Sequence, residues 1–182
     1  ENYRTGSDNE DTILFNENEF TKPIESKSKI NGLNKAYELW YDDKKWKRIQ
    51  TEQINPDADI ALKITKGDAY AMVIYEELKI PIKNLSEIAL DNALLVAPDI
   101  KPISKEFRVV NGDTLILMRM DGKTQGMDIT YYSYYYYSNS NGSMQFHTFT
   151  GTQLFEKYKN DLVDLLNGFI IPKNEDIIET KE

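Results

Sequence analysis

The chain has no cysteine, one histidine and four arginines among its 182 residues. The first absence excludes disulfides, thiolate nucleophiles and cysteine-ligated metals, and leaves either redox compartment open. The second leaves one candidate base for a hydrolytic triad, His147 in the predicted strand "SMQFHTF". A lone strand histidine ordinarily packs or faces solvent. Positive charge is scarce too: 22 Lys and Arg stand against 30 Asp and Glu, for a net charge of −8. A nucleic-acid partner is excluded, because phosphate binding needs a basic stripe that displaces counterions. No apolar run reaches the roughly 18 residues of a membrane span, and the longest, "NALLVA", is broken by Pro98.

Other absences narrow the chemistry. The stretches "NGDT" and "DGKT" lack the spacing of a phosphate-cradling loop, which disfavours nucleotide enzymes. Asp57 and Asp59 in "NPDAD" are too few ligands for a calcium loop, and turn capping explains them better. The pairs Asp42-Asp43 and Glu76-Glu77 lie in strand-like stretches, where neighbours point to opposite faces and cannot share a proton. The run "DDKKWKR" suits a charged strand edge that deters edge pairing. No cofactor, metal site or catalytic set is expected.

What is present is pattern. Hydrophobic residues make up 40% and charged residues 29%, a globular balance. Period-two alternation starts after Gly32 in "YELWY" and resumes at Trp46 to Ile49. Three hairpins are expected. The first joins "DIALKITKG" to "AYAMVIYEEL" through Gly67-Asp68, and the second turns at Asn111-Gly112 within "FRVVNGDTLILMRMDG". The third joins Met127–Ser138 to Ser143–Thr150 through "NSNG".

Two stretches carry the helical period. Asn84 to Ala97 places Leu85, Ile88, Ala89, Asn92 and Leu95 on one side, with Asn84 and Glu87 in a capping pattern. Thr152 to about Phe169 places Leu154, Phe155, Tyr158, Leu162, Leu165, Leu166 and Phe169 in a stripe. "TLILMRM" and "AYAMVIY" are apolar on both alternate sets, so both sheet faces need cover. The expectation is an α+β fold, an α/β/α sandwich with a central antiparallel sheet and a helix on each face. Residues 1–30 are expected as a polar tether with room for one extra strand, 31–172 as a single domain and 173–182 as an acidic tail. A start at Glu1 without Met suggests that a leader, a lipid-anchored cysteine or a longer parent precedes it.

The order of parts resembles the PsbP-like fold. The residues that carry the likeness are "YELWYDDKKW", "NLSEIALDNALLVA", "FRVVNGDTLILMRMDG", "GMDITYYSYYYYSNSNGSMQFHTFTG" and "QLFEKYKNDLVDLLNGF", over residues 37 to 171. Trp46 after the Tyr41 strand, the central helix and Phe169 match best. The chain departs where the family tends to write tyrosine-proline, since Asp42 follows Tyr41. The superfamily includes photosystem accessory proteins, a nuclear Ran-binding protein and bacterial envelope proteins. The resemblance implies a non-catalytic, extracytoplasmic accessory domain (periplasmic, secreted or lipid-anchored) whose partner is a protein or a cell-envelope ligand. It does not by itself give activity.

The feature left over is "YYSYYYYSNSNG", with six of the chain's twelve tyrosines in seven positions. Tyrosine favours strands, so a sheet strand explains the run without any ligand. Alternation separates Tyr131, Ser133 and Tyr135 from Tyr132, Tyr134 and Tyr136, and the second set follows the polar residues Asp128 and Thr130. A two- or four-residue turn puts Gln145 and His147 on the face of that second set. Tyr132, Tyr134, Tyr136, Gln145 and His147 are therefore the expected ligand- or partner-binding patch. A carbohydrate- or small-ligand-binding module is the alternative function.

Overall fold

The structure, a computed structural model, describes residues 13–138 and 140–173. The first twelve residues of the expected tether and nearly all of the expected acidic tail lie outside the described residues. Eleven strands and two helices follow in the order β1 (Leu14–Phe20), β2 (Ser28–Asn31), β3 (Glu38–Tyr41), β4 (Trp46–Ile49), β5 (Ile60–Ile64) and β6 (Ala69–Glu76). Then come α1 (Ile82–Val96), β7 (Lys101–Val110), β8 (Asp113–Thr124), β9 (Met127–Ser138), β10 (Gly142–Gly151), α2 (Phe155–Leu166) and β11 (Phe169–Ile170). The fold is mixed α+β and dominated by its sheet.

Eight strands form one sheet in the order β1-β7-β8-β9-β10-β6-β5-β4. The three expected hairpins supply its centre. Asn111 and Gly112 form a two-residue turn between the paired Val110 and Asp113, both at positive φ, the geometry that a right-twisted hairpin requires. All pairs in this sheet are antiparallel except the outermost, where β1 runs parallel to β7. The residues from Leu14 to Phe20 are thus sheet, fastened by Phe20 beneath the Arg108 guanidinium at 4.3 Å. A second sheet, β11-β3-β2, was not expected.

That second sheet corrects the closing helix. The helical stripe was expected to run on to Phe169, but α2 ends at Leu166 and Phe169 pairs with Leu39 of β3. Gly168 permits this approach: a Cβ there would strike the Trp40 carbonyl, whose residue's N–H donates to the Gly168 carbonyl at 2.8 Å. The rest of the stripe is as expected, with Phe155, Tyr158, Leu162, Leu165 and Leu166 buried.

The stripe of α1 is rotated from its expected position. Leu85, Ser86 and Ala89 are buried, while Ile88 is 41% and Leu95 84% exposed. The helix rests on β8 and β9, where small Ser86 and Ala89 allow close approach. Asn84 is not a cap either, because the helix starts at Ile82 after Pro81 without a side-chain cap.

Two core clusters result. Leu115 and Leu117 of β8 join Trp46, Phe146 and the α2 residues in the larger one. Ile116, Met118 and Met120 join Leu85 and Ala89 of α1 in the smaller.

Candidate functional site

The tyrosine strand is divided by its turn. Three residues, 139 to 141, separate the paired Ser138 and Gly142, so the position numbers of partners sum to an even value. Tyr136 therefore faces Met144, Tyr134 faces Phe146, and Tyr132 faces Thr148, whereas Gln145 and His147 pair with Tyr135 and Ser133. The expected shared face of Tyr132, Tyr134, Tyr136, Gln145 and His147 does not form. An odd-length loop reverses parity relative to the two- or four-residue turn assumed. Gly142 makes the short loop possible, at φ +83 and with no room for a Cβ against the Glu76 carbonyl.

The expectation that Tyr132, Tyr134 and Tyr136 form a binding patch is corrected by their burial as well. All three are buried, at 8% exposure or less, in the α2 cluster. Tyr132 meets Phe155 edge-on at 5.4 Å, and Tyr136 meets Phe169 at 6.2 Å. The Tyr134 hydroxyl donates to Asn167 Oδ1 at 2.6 Å. Burial pushes its pKa up to about 12. Asn111 ties the same corner together by donating to the Asn167 and Phe169 carbonyls.

On the other face, His147 lies between the Tyr131 and Tyr135 rings, both edge-on. Its Nδ1 is 2.9 Å from Ser133 Oγ, and its Nε2 is 3.1 Å from Gln145 Oε1. Desolvation lowers its pKa to about 4, so the ring is neutral near pH 7. With both nitrogens engaged and the ring buried, it has no opening to a substrate. The Tyr135 hydroxyl beside it is buried with no well-formed hydrogen bond among the described residues; burial pushes its pKa up, and the Ser133 hydroxyl acts against that.

The remaining sequence candidates are structural. Asp59 Oδ2 accepts from the Leu33 N–H at 2.8 Å and from the Tyr37 hydroxyl at 2.6 Å. Asn55 Oδ1 accepts from the Asp57 N–H. "NPDAD" is therefore a turn lock. Among the described residues, no three acidic or histidine side chains converge as a metal site. None of the described helices is long and apolar enough to cross a membrane.

The surface that sequence reasoning missed lies beside α1. Tyr70, Met72 and Ile74 of β6 alternate with buried Ala69, Ala71 and Val73, and are partly exposed. They pair with Phe149, His147 and Gln145 of β10. Tyr70, Met72, Ile74 and Phe149 belong to neither core cluster. Tyr70 stacks on Phe149, with centroids 5.5 Å apart and planes 18° from parallel, and Phe149 meets Tyr131 at 5.4 Å. Lys63 Nζ covers the Tyr70 ring at 5.2 Å. At one end of this face a groove of about 770 Å³ opens between the β5–β6 turn, the β8–β9 turn and the residues that lead into α2. "AYAMVIY" held the signal, since apolar residues on both alternate sets demand cover that α1 does not supply here.

No family model matches the chain. No curated protein matches it. Solved structures do. The solution structure of cyanobacterial PsbP (CyanoP) from Synechocystis sp. PCC 6803 is 14% identical, with a TM-score of 0.57, over 82% of this chain and 95% of that one. The crystal structure of the Saccharomyces cerevisiae Ran-binding protein Mog1p is 6% identical, with a TM-score of 0.53, over 79% of this chain and 94% of that one. At such identities the likeness is one of fold, and it agrees with the strand and helix order described above: this chain has the PsbP-like fold.

Proposed function

We propose that this chain is a non-catalytic protein-binding domain that works outside the cytoplasm. One observation carries the reading: the Tyr70, Met72, Ile74 and Phe149 face is partly exposed, apolar and outside both core clusters. A contiguous apolar surface of this kind is characteristic of protein contact. One structural relative, Mog1p, is a Ran-binding protein, which supports the same class. The single histidine is sealed and neutral, which disfavours acid–base chemistry through it. The extracytoplasmic placement rests on the resemblance to envelope proteins, and fractionation of the source cells tests it.

The three-layer arrangement, with α1 and α2 on opposite faces, is part of this reading. It is supported by the alternation of Leu115 and Leu117 with Ile116 and Met118 between the two clusters. The body then extends from Ile13 to Ile171, because β1 and β2 are sheet strands. A ligand site on Tyr132, Tyr134 and Tyr136 would require those rings to leave α2, so the open face is the better contact surface.

Photo-crosslinking tests the proposal. Benzoylphenylalanine at Met72 should yield one discrete protein adduct in extract of the source cells. The same probe at exposed Glu52 should yield none. Equal labelling at both positions, or no adduct at Met72, would sink the proposal.

A further inference from the structure

We propose that the groove at the end of the open face receives a short peptide segment in which an apolar side chain is flanked by basic residues. This rests on the protein-binding reading and specifies the chemistry of the partner. The walls are Phe149, Leu154 and Met127, the last 59% exposed. Asp68 stands on the β5–β6 turn and Asp128 near the start of β9, and none of the described residues lining the groove is Lys, Arg or His. Asp68 Oδ1 is engaged by the Tyr70 hydroxyl at 3.1 Å. Asp128 is 3.8 Å from Lys123, in an ion pair whose side chains are 54% and 73% exposed. Solvent weakens such a contact, so both carboxylates remain available to an incoming cation. The volume falls within the roughly 300–1,000 Å³ of ligand sites, and an added Cβ at Gly126 would meet no atom within 4 Å, so a chain can approach the rim there.

The ring geometry selects a peptide over a sugar. A saccharide stacks on an open aromatic face, yet Tyr70 sits between its cross-strand neighbours Lys63, with Nζ at 5.2 Å from the ring, and Phe149, stacked at 5.5 Å. What the groove offers is ring edges, aliphatic carbon and two carboxylates. Apolar burial then supplies attraction, and the two charges set orientation and exclude acidic segments.

The test is an NMR titration of the full chain with acetyl-Lys-Leu-Phe-Lys-amide up to about 5 mM, a range suited to weak peptide contacts. The expected result is saturable shifts at the Met127 methyl and Phe149 ring, weakened by salt, and weakened about three- to tenfold in D68N/D128N. Acetyl-Glu-Leu-Phe-Glu-amide and acetyl-Lys-Ser-Ser-Lys-amide should leave these signals unmoved. A melting curve of D68N/D128N verifies its fold, and Met127→Lys, which places a cation in the groove, should give the same loss. Equal binding of the acidic peptide, shifts elsewhere, full affinity in both variants, a response to cellobiose instead, or no response would each overturn the proposal. A Met72 adduct with a silent groove would refute the peptide site and leave the protein-binding reading intact, whereas loss of both would remove the reading itself.

Discussion

The two faces of the β9–β10 pair use the same residue types to opposite ends. Towards α2, Tyr132, Tyr134 and Tyr136 are sealed against Phe155 and Phe169, and the Tyr134 hydroxyl is satisfied by Asn167. On the other face, Tyr131 and Phe149 are partly exposed, and the buried Tyr135 hydroxyl has no well-formed hydrogen bond among the described residues. Cover decides the difference, not composition. Residues of α2 and Phe169 of the small sheet pack on one side, whereas the main contacts of α1 are with β8 and β9, and Tyr70, Met72 and Ile74 of β6 stay partly exposed. A run rich in tyrosine is therefore core where an element lies over it and surface where none does.

If this comparison is right, the largest losses come from the sealed side. Leu162→Ala should cost about 2 to 5 kcal/mol in urea unfolding, because its side chain has no exposure and leaves a cavity under α2. A neutral result would mean that α2 does not seal the sheet.

Acid sharpens the comparison on the face of His147. His147 has a folded pKa of about 4, below the ordinary 6.5. The unfolded chain therefore binds the proton first, and stability is complete above pH 6.5 and lost as pH falls towards 4. Between pH 7 and pH 4 the loss attributable to His147 should be about 3 kcal/mol, read as the difference in pH slope between the native chain and His147→Gln. Parallel slopes would show that the ring is protonated or solvated in the fold.

A pair of hydroxyl deletions compares the faces directly. Tyr134→Phe removes a hydrogen bond and leaves Asn167 short of a donor, so it should cost about 1 to 2 kcal/mol. Tyr135→Phe removes a hydroxyl that makes no well-formed hydrogen bond among the described residues and should be neutral or slightly stabilising. Equal losses by thermal denaturation would contradict the distinction between them.

The smallest effect belongs to the open face. Met72→Lys should change stability by less than about 0.5 kcal/mol, since the residue is partly exposed and outside both clusters. A loss like that of Leu162→Ala would mean that the face is core and offers no contact surface.

How far the sequence could be read depends on the range of the interaction concerned. Asn111-Gly112 sets its turn by local sterics, so the central hairpin was legible. The run from Phe155 to Leu166 buries one face of a regular helix, so α2 was legible except at its end. The end required Gly168 to meet Trp40, more than a hundred residues away, which no local pattern records. Ile88 and Leu95 of α1 are apolar but face outward, because helical periodicity identifies a stripe without fixing which edge of it the sheet takes. The site was misread for a narrower reason: a turn one residue shorter or longer than its true length exchanges every side chain between faces.

By itself the sequence determined the three central hairpins, the two helices, the strand character of the tyrosine run and the order that resembles the PsbP-like fold. These follow from turn sterics and side-chain periodicity, which act over a few residues. Tertiary structure alone decided which tyrosines are sealed, that β1 joins β7 in parallel, that β11 closes a second sheet, and that Tyr70, Met72 and Ile74 of β6 stay partly exposed. Each of those depends on which distant element comes to rest on a strand, and burial is a property of that encounter, not of the residue.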